Sequence, residues 1–240
     1  MDRRLEAVLF DLDDTLYPER QYVDGGFRAV AAFLGPRFGR AEPELVARLW
    51  ELHRRDGRGR LFDTLVGELG AGGDADLVLA CLLVYRTWPA RLEPFPGAVT
   101  VIGGLRASGI RTGLVSDGHA AVQRRKLAGL AGLADLLDVV VMTDELGREH
   151  AKPSPVPFRV ACRILDVQPG RTAYVANDPR KDFRGAREAG LLTIRLGGLP
   201  DEGGSVDITW TPDDDSDLTV DGFSALPDVL LGDEAPAARG

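Results

Sequence analysis

The sequence predicts an α/β protein: a parallel sheet covered by helices on both faces, interrupted by an all-helical insertion. Three observations carry this prediction. The apolar run Glu6-Ala-Val-Leu-Phe10 stops abruptly in acids, like a buried parallel strand whose carboxyl end opens onto polar chemistry. From about Tyr22 to Trp88 apolar residues recur at helical spacing. After Pro94 and Pro96 short apolar strands alternate with helices, the pattern of a parallel sheet.

Residues 6–10 form the first strand. The insertion then shows four helical groups: Phe27, Val30, Ala31 and Leu34; Leu45, Val46, Leu49, Trp50 and His53; Leu61, Leu65 and Leu69; and the run from Leu77 to Tyr85. Gly35-Pro36, Gly57 to Gly59 and Gly70 to Gly73 punctuate them as helix breakers. Beyond the insertion the expected order is helix 97–108, strand 110–115, helix 119–131, strand 138–143, helix 155–166, strand 172–177, helix 182–189 and strand 191–196. Residues 201–217 are rich in Gly and Asp and read as mobile, with a closing helix from Phe223 to Leu231. The chain thus divides into a Rossmann-like core (residues 1–16 and 95–232), a helical cap domain (17–94) and a tail (233–240).

Composition narrows the function. The 240 residues are 44% hydrophobic and 28% charged, which excludes a disordered or fibrous chain. The formal charge of −8 gives no reason to expect a nucleic-acid partner. Most of that charge is at the carboxyl end: residues 201–240 hold eleven acids against one arginine, so the rest is near neutral. Cys81 and Cys162 lie in apolar helical stretches and read as buried small hydrophobes in a reducing compartment. The longest apolar run, Leu77 to Tyr85, is too short to span a membrane, and the amino end turns acidic too soon for a signal peptide. A cytoplasmic protein is expected. Only Lys126, Lys152 and Lys181 are lysines.

In an open parallel sheet, ligands bind outside the carboxyl ends of the strands. The polar residues that end each apolar run are Asp11-Leu-Asp13-Asp-Thr15, Ser116-Asp117-Gly118 and Asn177-Asp178-Pro-Arg-Lys-Asp182, and Lys152-Pro153 opens the helix after the third strand. Singly, each also fits an ordinary turn or helix cap. Residues two apart in an extended segment point the same way, so Asp11 and Asp13 can face one reacting centre. One carboxylate can then attack while the other moves protons. Several carboxylates beside an anionic substrate call for a divalent cation. Hard oxygen donors favour Mg²⁺, because Cys is absent from these motifs and His53, His119 and His150 share no metal spacing.

In order and spacing, these four motifs resemble those of the haloacid dehalogenase superfamily from about Ala7 to Leu196, with the insertion where that superfamily carries its helical C1 cap. The resemblance implies a Mg²⁺-dependent phosphatase. Asp11 would be the nucleophile that forms an aspartyl phosphate, and Asp13 the general acid and base beside Thr15. Lys152 and Ser116 would stabilise the phosphoryl group, Asp11, Asp178 and the Asp13 carbonyl would hold the metal, and Asp182 would hold it directly or support its water shell. Asn177 departs from the pattern, which has Gly before the first acid of the last motif.

Asp13 tells against a dehalogenase, since a halide leaves without a proton. A Schiff-base phosphonate hydrolase needs a cap lysine, and residues 17–94 contain none. A phosphomutase of the β-phosphoglucomutase type and a non-catalytic phospholigand- or protein-binding domain remain as alternatives. The segment SDGHAAVQRRKLAGL resembles small-metabolite phosphatases such as N-acylneuraminate phosphate phosphatase; Gln123, Arg124 and Lys126 within it fit an exposed helix face equally well. Ser116, Asp117, Gly118, Tyr17 and Arg28 are the expected contacts to a small phosphorylated metabolite. Arg48, Arg54, Arg55, Arg58 and Arg60 fit a solvated basic face better than a second anion site.

Overall fold

A computed structural model of the chain describes residues 4–57, 59–199 and 214–232. Two compact units divide it, one from the residues up to Glu19 and from Arg91 onward, the other from Arg20 to Ala90. The expected mobility of residues 201–217 falls largely outside the described residues, as do Arg58 and the 233–240 tail.

The first unit is built on six parallel strands: β1 (Ala7–Phe10), β2 (Arg111–Ser116), β3 (Val139–Met142), β4 (Thr172–Ala176), β5 (Leu192–Gly197) and β6 (Leu218–Asp221). Their order is β3-β2-β1-β4-β5-β6. β1 therefore lies between β2 and β4, where chain crossovers diverge and the carboxyl ends leave a crevice. All four residues of β1 are buried, which is why the strand reads as a continuous apolar run. Ala7 and Leu9 face helices α7 (Val156–Leu165) and α8 (Phe183–Glu188). α7 buries Phe158, Ala161, Cys162 and Leu165, a three-and-four spacing that aims one stripe at the sheet. Each large apolar side chain so buried contributes about 1.5–3 kcal/mol. The remaining helices of this unit are α5 (Ala98–Ala107), α6 (Ala120–Gly129) and α9 (Leu226–Leu231).

β6 was not expected from the sequence. It is four residues long, follows an acidic stretch and, among the described residues, pairs only with β5, so it has little apolar signal. Asp217 anchors it from the side, its carboxylate accepting hydrogen bonds from the Thr193 N–H (2.8 Å) and hydroxyl (2.7 Å). The closing helix is shorter than predicted, a 3₁₀ turn at Phe223–Ala225 leading into α9.

The second unit consists of α1 (Glu19–Phe38), α2 (Glu42–Asp56), α3 (Leu61–Val66) with a π turn at Gly67–Ala71, and α4 (Ala75–Thr87). Phe27, Leu34, Leu49, Leu65 and Cys81 lie in its own buried core. The expected break at Gly35-Pro36 does not occur, and α1 runs on to Phe38. Pro36 is close enough to the end to cost little, and the turn closes at Gly39 (φ 61°) with the Arg40 N–H donating to the Gly35 carbonyl (3.0 Å). α4 starts on a capping Asp74, which accepts from the Leu77 N–H at 2.9 Å. Both cysteines are free and buried, as their apolar context predicted. Among the described residues no helix is long and apolar enough to cross a membrane.

Candidate active site

The strand that ends in Asp11 is tied to its neighbour at once: the Asp11 N–H donates to the Val175 carbonyl of β4 (3.0 Å). The chain then folds back in a tight loop, with Leu16 N–H to the Leu12 carbonyl (2.9 Å) and Asp14 at φ 55°. Thr15, fully buried, donates to Asn177 Oδ1 at 3.0 Å and so links the ends of β1 and β4. Asn177, which replaces the expected glycine, therefore supplies the acceptor for Thr15.

Lys152 is at the centre of the buried charges. Its Nζ is 2.7 Å from Asp11 Oδ1, 2.7 Å from Asp182 Oδ1 and 3.1 Å from the Tyr174 hydroxyl, with none of its side chain exposed. Burial opposes the ammonium charge, but Asp11 and Asp182 outweigh it and hold Lys152 above its ordinary pKa. Burial likewise opposes ionisation of Asp11, where Lys152 and Lys181 prevail and hold the carboxyl below the usual range. At Asp182 burial, with the nearby Asp11 charge, outweighs Lys152, and the carboxyl is pushed up. Among the described residues Asp11 Oδ2, which is buried, accepts no hydrogen bond, and Lys181 Nζ lies 3.8 Å from it.

Asp13 is gripped separately. Both of its oxygens accept from Lys126 Nζ (2.8 Å each), Oδ1 also from the Tyr17 hydroxyl (2.6 Å) and Oδ2 from Gln123 Nε2 (2.8 Å). Gln123 reaches on to Ser116 Oγ (2.8 Å) at the end of β2, and Lys126 to Glu19 (3.1 Å). Burial opposes the Lys126 charge, and Asp13 and Glu19 overcome it. Only Arg124, paired with Glu145, shows the exposed position that all three of these α6 residues had fitted; Gln123 and Lys126 are buried. Their i,i+3 spacing and the scarcity of lysine were the available signals.

Within the protein, the other expected substrate contacts are placed as follows. Tyr17 has no exposed surface and donates to Asp13. Asp117 accepts from the Thr143 hydroxyl (2.7 Å) and the Lys152 N–H (3.2 Å). Gly118 takes φ 108°, a turn conformation that favours glycine. Arg28 is an exposed residue of α1 paired with Asp24 at 2.6 Å. In the basic stretch of the second unit, Arg48 pairs with Glu51 and Glu68, and Arg55 with Asp56, in keeping with a solvated face.

The acids of the last motif are only partly available to a metal. Asp182 accepts from Lys152, Tyr174 and the Asp178 N–H (3.1 Å), so it braces the site and is not poised as a direct ligand. Asp178 is held below the usual carboxylate range by Arg180, which overcomes burial, and Arg180 is half exposed. Among the described residues no three His, Cys, Asp or Glu side chains are grouped to hold an ion. Mg²⁺ does not need such a cage: it commonly takes one or two carboxylates and fills the rest with water and phosphate. Asp11 Oδ2, buried and without a hydrogen bond among the described residues, fits that need, and Asp178 offers a second carboxylate, held by the half-exposed Arg180 side chain and by the Arg180 N–H (3.1 Å).

The family model for haloacid dehalogenase-like hydrolases matches residues 5–190. A glyceraldehyde 3-phosphate phosphatase of Methanopyrus kandleri is 36% identical over 233 residues, covering 94% of this chain and 97% of the relative. A phosphoglycolate phosphatase of Cupriavidus necator is 32% identical over 250 residues, covering 97% and 96%. Among solved structures, the magnesium-bound HAD hydrolase YfnB of Bacillus subtilis aligns with a TM-score of 0.65 at 18% identity, over 95% of this chain and 99% of that one. The chain belongs to the haloacid dehalogenase-like hydrolases.

Proposed function

We propose that the protein is a phosphoric monoester hydrolase that cleaves a small phosphorylated metabolite through an aspartyl phosphate on Asp11. The observation that carries this reading is the state of the Asp11 carboxylate. Lys152 fixes Oδ1, while Oδ2 is desolvated and accepts no hydrogen bond, so one lone pair is free to attack phosphorus. Asp13, two residues along the chain, protonates the departing ester oxygen and then takes the proton of the water that cleaves the intermediate. Ser116 and Lys152 offset charge on the phosphoryl oxygens. Asp11, Asp178 and the Asp13 carbonyl would hold Mg²⁺, which would supply neutralisation of the negative charge at the phosphoryl group.

The named activities of the relatives, on glyceraldehyde 3-phosphate and phosphoglycolate, support a substrate of a few carbons. Free, buried thiols favour a reducing cytoplasm. The test compares wild type with Asp11→Asn, each with Mg²⁺, on p-nitrophenyl phosphate and a panel of triose phosphates, phosphoserine and phosphoglycolate. Wild type is expected to release phosphate without a sugar bisphosphate primer, which separates a phosphatase from a phosphomutase, and the variant to fall to background. Equal turnover by the two proteins would remove the mechanism.

A further inference from the structure

The chain has three lysines, and all three touch the carboxylates of one site: Lys152 on Asp11 and Asp182, Lys181 near Asp11, and Lys126 on Asp13. Every other strongly basic side chain is arginine. A lysine retained in so arginine-rich a chain, and buried, calls for a reason. Lys126 has 4% of its side chain exposed, yet it stands on α6, a helix whose other basic residue with a described pair, Arg124, faces solvent.

Resting on the phosphatase reading, we propose that Lys126 is a positioning residue for the second half of the reaction, in which water cleaves the aspartyl phosphate. In that step the water oxygen bonds to phosphorus, the bond from phosphorus to Asp11 breaks, its electron pair returns to the Asp11 carboxylate, and the water proton passes to Asp13. Asp13 must then be a carboxylate, with one lone pair aimed at the water. A single ammonium at 2.8 Å from both oxygens sets the plane of the carboxylate, and the Tyr17 hydroxyl at 2.6 Å and Gln123 Nε2 at 2.8 Å stop it turning. Gln123 also joins Asp13 to Ser116 Oγ, so base and phosphoryl contact share one brace. Glu19, at 3.1 Å from Lys126, keeps the ammonium from being drawn wholly onto Asp13.

The test uses p-nitrophenyl phosphate, whose phenolate departs without a proton, so the first half runs without Asp13. In Lys126→Met, kcat is expected to fall about 10²-fold, the scale of a mispositioned general base. The value of kcat/KM, which reports only steps up to phenolate release, is expected to stay within a few-fold of wild type. Rapid mixing should show a burst of nitrophenolate equal to the enzyme concentration, and acid quenching should trap phosphate on the peptide that contains Asp11. If kcat and kcat/KM fall together with no trapped phosphoenzyme, or if neither changes, the inference is overturned. Tyr17→Phe removes one of the same hydrogen bonds without taking a charge from the interior. It should give the same burst with a smaller loss, and it decides the matter if Lys126→Met does not fold. Wild type that cleaves no phosphate ester overturns the phosphatase reading and this inference with it; active wild type with an unaltered Lys126→Met overturns this inference alone.

Discussion

Gly185 offers a sharp test of how the site is held. It is the third residue of α8, and at this point the helix touches the chain just after Lys152. A Cβ added at Gly185 would stand 2.0 Å from the Pro153 carbonyl oxygen, 2.6 Å from its carbon and 2.8 Å from the Ser154 oxygen, where ordinary contact begins at 3.4 Å. Backbone cannot rotate away as a side chain can, so Gly185→Ala must push the Lys152–Ser154 segment and α8 apart by about 1.4 Å. Overpacking of this kind costs about 1–3 kcal/mol. Replacing a helical glycine by alanine returns about 0.5–1 kcal/mol, so the net loss is at most about 2.5 kcal/mol. In a chain of this length that lowers Tm by up to about 10 °C. Activity should suffer far more. Lys152 Nζ is 2.7 Å from both Asp11 and Asp182, and a displacement of about 1 Å at a reacting centre costs on the order of 10²-fold. The assay pairs kcat/KM for phosphate release, measured below the transition of the variant, with thermal denaturation. A Gly185→Ala protein with wild-type kcat/KM, or one whose activity falls only in proportion to its unfolded fraction, would refute the reasoning.

Three further outcomes are expected. Lys152→Met strips the cation from between Asp11 and Asp182 and should destabilise the protein by about 3–5 kcal/mol at neutral pH, read by denaturant unfolding. One of the two carboxyls then has a folded pKa above its unfolded value, so the deficit should be full above that folded pKa and shrink as pH falls through it; a deficit that does not vary with pH would deny that charge is the cause. Burial pushes the Cys81 thiol up to about 11 and raises Cys162 as well, so neither should react with thiol reagents at neutral pH until the chain is unfolded, and fast labelling of native protein would contradict this. Mg²⁺ at a hundredfold excess over its Kd should stabilise wild type by about 2.7 kcal/mol and Asp11→Asn by much less, measured as a Tm shift; equal shifts would place the ion elsewhere.

The sequence made the sheet legible because its central strands β1 and β4 are buried along their whole length, and β1 and β3 appear as unbroken apolar runs. β6 escaped because an edge strand held by the Asp217 side chain needs no such run. Pro36 misled because a breaker two residues from a helix end has almost no helix left to break. At the site, residues that end strands were readable from position alone: Asp11, Ser116 and Asp178 follow β1, β2 and β4. What surrounds them was not. Tyr17 and Asp117 stand in the chain where a substrate contact would be expected, and only tertiary structure reveals that each is consumed by a neighbour, Asp13 in one case and Thr143 with the Lys152 backbone in the other. Lys126 and Gln123 sit on a helix with polar residues all round, so no apolar stripe marked their buried side.

Lysine at these positions has a physical rationale that coding bias toward arginine makes visible. Lys152 must contact Asp11, Asp182 and the Tyr174 hydroxyl from inside a closed interior. A guanidinium is planar and offers its donors as a fork suited to one carboxylate, whereas an ammonium is a compact point charge whose three protons diverge toward three acceptors. Lys126 meets the same geometric demand, with Asp13 on one side and Glu19 on the other. The exposed arginines of the chain answer the opposite demand, as Arg124 does on Glu145 and Arg180 on Asp178, each laying a fork along a single carboxylate. Arg48 also holds two acids, Glu51 and Glu68, but with both of them exposed, so the division of labour between the two residue types follows the space in which the cation must sit.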